Sequence, residues 1–332
     1  MACREVSAIA RPPFPWVGNK EKLVPYIQQL LPHHATQFLD VFGGSGAVIL
    51  ALKPRKGRLD LYNDLDNDLT NVMFCIKERL GVLSKELDFL PVQGREAFRF
   101  YRDIANHKLE FEQHLAEEIA LLQDRSCFTE EQAQELLPIL QGRAKLFDVY
   151  RAAAFLLAQY GSFSGTGNSF GVKTVNVDAI RGRLQEVSKR LQSIVLENRN
   201  ALDLLDERDQ PNGVIYADPP YYEAEKCYKP KFSMEDHIRL RDRLRTCTGY
   251  VILSYNDCPM IHDLYAEDFF FIGLKRNNPL SQKKGAVYGE LFLTNYDPRP
   301  YLNSQMNLFE PNPTTKGELL LLHTPKHILK ST

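Results

Sequence analysis

Gly213-Val214-Ile215-Tyr216-Ala217-Asp218-Pro219-Pro220-Tyr221-Tyr222 sets the class of this fold. Gly213 to Ala217 is a short apolar run rich in β-branched and aromatic side chains, which predicts a buried strand with the carboxylate and two prolines just past its end. Open α/β sheets bind their ligands at that edge. Each proline fixes φ and lacks an amide proton, so the turn cannot join a ladder and presents carbonyl oxygens beside one carboxylate. A rigid pocket made only of acceptors suits an NH2 group, and Tyr221 adds a flat apolar face on which a planar base can stack. A proline-stiffened loop with an N-capping aspartate is the alternative, and Asp-Pro-Pro-Tyr alone leaves both open.

At 332 residues and 44% hydrophobic content the chain has the length of about two domains and ample material for a core. The six cysteines, Cys3, Cys75, Cys127, Cys227, Cys247 and Cys258, have no Cys-x-x-Cys spacing and no companion histidine cluster. They read as reduced thiols of a cytoplasmic protein that holds no metal. No apolar stretch approaches the roughly 20 residues of a membrane span, and the N-terminus lacks a signal-peptide pattern, so neither export nor membrane insertion is expected. A formal net charge of -1 gives no global attraction to nucleic acid. Any phosphate-binding surface must come from local clusters such as Lys226-Lys229-Lys231 or Lys275-Arg276-Lys283-Lys284.

Upstream, Phe14-Pro15-Trp16-Val17-Gly18-Asn19-Lys20 precedes an amphipathic pattern from Glu21 to Leu31. An aromatic, a glycine and a lysine before a helix can bind a ligand carboxylate; otherwise Trp16 is simply core. Next, Phe38-Leu39-Asp40-Val41-Phe42-Gly43-Gly44-Ser45-Gly46 reads as a strand ending in clustered glycines and opening into a helix, which permits close backbone approach to a ligand. About twenty residues on, the strand Leu59 to Asn63 ends at Asp64, an acid placed to hold ribose hydroxyls or to cap the following helix. The pair suggests an adenosine ligand.

From about Asn67 to Gln141 the pattern is mostly helical, and its acidic part, Glu110 to Glu135, would repel a phosphate backbone. An apolar helical run, Phe147 to Tyr160, leads to Gly161-Ser162-Phe163-Ser164-Gly165-Thr166-Gly167-Asn168-Ser169-Phe170-Gly171-Val172-Lys173. Glycines, small hydroxyls, an amide and two phenylalanines predict a loop or hairpin able to reach base edges. Arg143, Lys145, Arg151, Lys173, Arg181 and Arg183 flank it. A surface hairpin without a partner is the competing reading. Helices are then expected over Val177–Leu191 and Met234–Arg245, and strands over Ser193–Leu196, Tyr250–Ser254, Asp268–Leu274 and Gly289–Tyr296. This alternation predicts a mainly parallel sheet with helices on both faces. Beyond Pro298 a tail is expected in which Leu319 to His323 docks as one more element.

Four motifs now stand in order: Phe14-x-Trp16-x-Gly18-x-Lys20, Asp40-x-Phe42-x-Gly44-x-Gly46, Asn63-Asp64 and Asp218-Pro219-Pro220-Tyr221. In that order, and on through Ser162 to Gly171, His237, Leu253-Ser254-Tyr255 and Glu290-Leu291 to Asn295-Tyr296, the chain closely resembles the Dam-type family of adenine-specific DNA methyltransferases. The resemblance implies an S-adenosylmethionine-dependent, Rossmann-like α/β fold. Its seven-stranded sheet would carry an inserted, mainly helical target-recognition domain. Residues 8–80 and 192–298 would form the catalytic domain, 81–191 the insert and 299–332 the tail. The cofactor would meet Trp16, Gly18, Lys20, Asp40, Phe42, Gly44, Gly46, Asp64, Asn200 and Asp218. Asp218, Pro219, Pro220 and Tyr221 would form the catalytic loop, and Arg151, Phe163, Ser164, Asn168 and Lys173 would meet the DNA. Where many relatives have Arg-Asp, this chain has Arg199-Asn200.

The implied partner is double-stranded DNA, from which the target adenine is flipped, and a cognate restriction endonuclease is a further candidate; a monomer or weak dimer is expected. The same acceptor pocket also suits an RNA adenine or a protein amide, and an inactive DNA-binding module is the third alternative.

Overall fold

The computed structural model describes residues 9–90, 94–106, 120–121, 124, 129–134, 137, 148–162, 169–171, 175–222, 232–276, 289–302 and 317–326. The chain divides into two compact units, Met1–Asn19 with Asp64–Asn198, and Lys20–Asn63 with Arg199–Thr332.

The second unit is built on a sheet of β1 (Gln37–Asp40), β2 (Leu59–Asn63), β4 (Gly213–Ala217), β5 (Tyr250–Tyr255), β6 (Phe270–Arg276), β7 (Leu291–Thr294) and β8 (Gly317–His323), in the order β2-β1-β4-β5-β7-β6-β8. Every residue of β1 and β4 is buried; β4 is the continuous apolar run expected of a strand covered on both faces, whereas β1 also buries Gln37 and Asp40 at its ends. The strands β2, β1, β4 and β5 are parallel. Register sets Asp40 opposite Tyr216 and Ala217 opposite Leu253, so the turns after β1 and β4 emerge at the same sheet edge. Beyond β5, β6 keeps the direction of the parallel strands, while β7, inserted between β5 and β6, and β8, along β6, run the opposite way, so the sheet is mainly parallel with two reversed strands. The described residues contain eight strands, one more than the resemblance implies; the added one is β8, from the tail, paired along β6.

Core side chains of this sheet, among them Leu39, Ile215, Val251, Leu253, Phe271 and Leu293, pack with Leu204, Leu240, Leu244 and Ile261 from the helices Ala201–Arg208, Met234–Leu244 and Pro259–Tyr265. The helix at Pro259 was not foreseen. It is only seven residues long and has no side-chain cap; Pro at its first turn is its one local signal.

The first unit contains helices Asn67–Glu78, Leu80–Phe89, Arg95–Ala105, Val149–Gly161 and Val177–Leu191, together with β3 (Ile194–Glu197). Asp66, Asp148 and Asn176 cap three of these helices through their side chains. Asn71 exchanges two hydrogen bonds with the backbone of Asp148, at 2.9 and 2.8 Å, which holds the start of the Val149 helix against the Asn67 helix. The base of the expected hairpin is formed by an antiparallel bridge between Ser162 and Phe170 and by Gly171 N–H donating to Gly161 O at 2.8 Å. Most of the acidic stretch Glu110 to Glu135 lies outside the described residues. No helix among the described residues is long and apolar enough to cross a membrane.

Candidate functional site

Strand β4 delivers Asp218 to the carboxyl edge of the sheet, where Lys20 Nζ lies 3.0 Å from its Oδ1. The same ammonium stands 4.5 Å from the centroid of the Tyr221 ring, a cation–π contact. Tyr221 donates its phenolic proton to Glu290 Oε2 at 2.7 Å, and its ring meets that of Tyr255 at 5.8 Å. The Tyr255 hydroxyl is in turn 2.6 Å from His237 Nδ1. Pro219 is buried and Pro220 half-buried, so the loop between carboxylate and phenol is stiff.

Burial pushes the Asp218 carboxyl up to about 6; the Lys20 charge opposes this and the Glu290 charge adds to it. The cause is solvation: few waters reach the group, so ionisation is dearer than in a peptide. Most Asp218 is still ionised at neutral pH, but half of it is protonated near its shifted value. If the ionised form does the chemistry, kcat/KM should fall about tenfold per pH unit below about 6 as the acceptor is protonated. A rate profile that stays flat between roughly pH 5 and pH 7.5 would contradict this assignment.

The turn after β1 is held from several directions. Gly44 and Gly46 adopt φ of 52° and 72°, left-handed values that side chains resist. Tyr62, fully buried, donates its hydroxyl to Gly44 O at 2.7 Å, and Gly43 N–H donates to Asn63 O at 2.7 Å. Asn63 Nδ2 donates to Val41 O at 2.9 Å and to Arg199 O at 3.1 Å, while Arg199 N–H returns a bond to Asn63 Oδ1 at 3.0 Å. A Cβ built on Gly43 would lie 2.2 Å from the Tyr62 ring. The result is a fixed backbone cradle without side chains at positions 43, 44 and 46, which an adenosine can approach at backbone distance. Phe42 is half-buried beside it, edge-on to Phe232 at 5.9 Å, and Asp40 is buried at the end of β1. Asn200 is exposed and accepts from Leu202 N–H at 2.9 Å, so its side chain caps the Ala201 helix.

The remaining expected residues belong to the first unit. Trp16 packs near Phe14 and Phe155, with centroids 6.0 and 6.2 Å away, and Gly18 has φ of 76°. Asp64 Oδ1 accepts from Asp66 N–H at 2.8 Å; the helix cap is Asp66, not Asp64. Arg151 is buried, with Nε 3.4 Å from Asp68 Oδ1, an engagement within the fold. Phe163, Ser164, Asn168 and Lys173 lie outside the described residues. Three contributors had no role assigned from the sequence: Tyr62, and Asn63 and Glu290, which belong to the resemblance only as motif residues. Tyr62 and Asn63 brace the glycine turn, and Glu290 bonds to Tyr221, 69 positions away.

The geometry offers a desolvated carboxylate and a neighbouring proline carbonyl as acceptors, an aromatic face beside them, and a glycine cradle on the adjacent parallel strand. A family model described as D12 class N6 adenine-specific DNA methyltransferase matches residues 16–277, more than half of the chain.

Proposed function

The chain belongs to the D12 class N6 adenine-specific DNA methyltransferases and methylates adenine in DNA with S-adenosylmethionine as donor; from that premise we propose how its residues divide the work. The observation that carries the proposal is the acceptor pair at the end of β4. The Asp218 carboxylate and the Pro219 carbonyl accept the two N–H bonds of the adenine amine, which draws the nitrogen lone pair out of ring conjugation and aims it away from the base plane. S-adenosylmethionine, when bound, supplies the electrophilic methyl group. Lys20 holds Asp218 in place and is the cation available to the methionine carboxylate. The glycine turn receives the adenosine, with Phe42 beside it.

Tyr221 stacks on the target base, which partly offsets the few kcal/mol needed to flip it from a duplex. We assign target recognition to the inserted residues 81–191. Exposed Arg95, 5.9 Å from the Phe170 ring, and exposed Arg99 would position phosphates beside the hairpin, whose Phe163, Ser164, Asn168 and Lys173 would meet the bases. The DNA substrate supports a cytoplasmic site of action. A monomer or weak dimer, with a cognate restriction endonuclease as partner, completes the proposal; sedimentation, and restriction of incoming unmethylated DNA, test those two points.

Mapping methylated adenines in DNA from a host that expresses the protein tests the reading directly. Marks at one sequence context, absent from cells carrying Asp218→Ala, are expected; marks that persist in the variant would refute it. For the cofactor, Asp64→Ala should weaken S-adenosylmethionine binding by about 1–3 kcal/mol, the range for hydrogen bonds to a charged acceptor. Unchanged affinity in titration calorimetry would leave Asp64 with only its turn contact to Asp66.

A further inference from the structure

We propose that Glu290 is a positioning residue: it holds the single phenolic proton of Tyr221, and thereby keeps that proton off Asp218, whose carboxylate stays open to the amine of the target adenine. The inference rests on Asp218 being the amine acceptor. Glu290 itself lies beyond the residues matched by the family model.

A phenol has one proton to give. Two carboxylates flank Tyr221: Glu290, whose Oε2 is 2.7 Å from the hydroxyl, and Asp218, which lies 3.0 Å from the same Lys20 ammonium that stands 4.5 Å from the Tyr221 ring centroid. The distance to Glu290 is that of a well-formed hydroxyl hydrogen bond, and a bond to an ionised acceptor is roughly twice as strong as one between neutral groups. Asp218 already forms an ion pair with the Lys20 ammonium at 3.0 Å. If it also took the phenolic proton, a substrate amine would find a carboxylate with two of its about four acceptor sites already engaged.

Glu290 is well placed for this task. It immediately precedes Leu291, which pairs with Tyr255 on β5 and Gly273 on β6, and its carbonyl accepts from Leu274 N–H at 3.4 Å. The β5 partner Tyr255 also carries the ring that meets Tyr221. Tyr255, at the end of β5, and Glu290, just before β7, therefore hold Tyr221 by its ring and by its hydroxyl.

The test measures methyl transfer to unmethylated duplex DNA by Glu290→Ala and Glu290→Gln, each alone and combined with Tyr221→Phe. Glu290→Ala should lower kcat about tenfold or more and change cofactor affinity less than about twofold. In the Tyr221→Phe background the same substitution should cost less than about threefold, because no phenolic proton remains to be redirected. Glu290→Gln should keep most of the activity, since its amide oxygen can accept the same proton. The pH profile adds a readout that a purely structural role would not move: the acid limb should shift to lower pH in both Glu290 variants, because a negative charge near Asp218 is gone.

Equal losses with and without the phenol, or an acid limb that stays in place, would overturn the proposal. If Glu290→Ala does not fold, the isosteric Glu290→Gln decides: retained kcat with a lowered acid limb supports it, and a loss of tenfold or an unmoved limb refutes it. Asp218→Ala in the same assay separates the two levels. An enzyme indifferent to Asp218 would remove the underlying reading, whereas an enzyme that needs Asp218 but not Glu290 would remove this inference alone.

Discussion

Asp218→Ala should lower kcat by about three orders of magnitude or more while S-adenosylmethionine affinity changes by less than about threefold. The magnitude follows from what the group does in a water-poor site, where deleting one preorganised polar contact to the reacting atoms costs roughly 10²–10³ in kcat. Here the deletion also removes the charge. Asp218→Asn should be nearly as severe: the amide presents one acceptor oxygen, carries no charge, and offers two donors toward an amine that needs acceptors. Both variants leave Lys20 buried without its 3.0 Å partner, so some loss of thermal stability is expected alongside. Single-turnover kinetics with cofactor bound, combined with calorimetry, resolves the two effects. A variant with near-normal turnover would show that the carboxylate is not the amine acceptor, and equal losses in cofactor binding and turnover would place it against the adenosine instead.

Gly43→Ala should abolish measurable cofactor binding, a loss of more than about tenfold, and destabilise the protein by about 1–3 kcal/mol. The added carbon would sit 2.2 Å from a ring carbon of Tyr62, a fully buried side chain that cannot swing aside. If Tyr62 moves, its hydroxyl leaves Gly44 O; if the turn moves, Gly43 N–H leaves Asn63 O. Either response deforms the cradle. Gly81→Ala, where a Cβ meets nothing within 4 Å, is the control and should leave binding and melting temperature unchanged or slightly improved. Intact binding by Gly43→Ala would mean that the turn is not the adenosine site.

Local pattern made much of this molecule legible in its sequence. The strand Leu59–Asn63 and the helix Val177–Leu191 lie where periodicity places them, and β4 announces itself because a run buried on both faces must be continuously apolar. The two antiparallel pairings of β7 could not be read in this way, since an apolar strand carries no mark of its neighbours' direction. The site divides along the same line. Asp218, Pro219, Pro220 and Tyr221 are contiguous and constrain each other through proline chemistry, so they show as a unit. Tyr62, Asn63 and Glu290 act on atoms brought close only by the sheet, so even where the resemblance includes them, as at Asn63 and Glu290, their roles do not show in their own neighbourhoods. The shifted titration of Asp218 was hidden for a related reason: desolvation belongs to the assembled pocket and not to the residue.

The two hydrogen bonds between Asn63 and Arg199 have a consequence for protein engineering. They join the residue at which the chain leaves the second unit to the residue at which it returns, so the whole excursion from Asp64 to Asn198 begins and ends at one stitched point. A segment with touching ends can be traded between homologues, shortened or tagged with little change in the spacing that the host strands must keep, and lengthening it costs only a logarithmic closure entropy. Asn63 and Arg199 are accordingly the natural splice points for chimaeras that exchange this segment, provided that the incoming one begins with an aspartate at the position of Asp64.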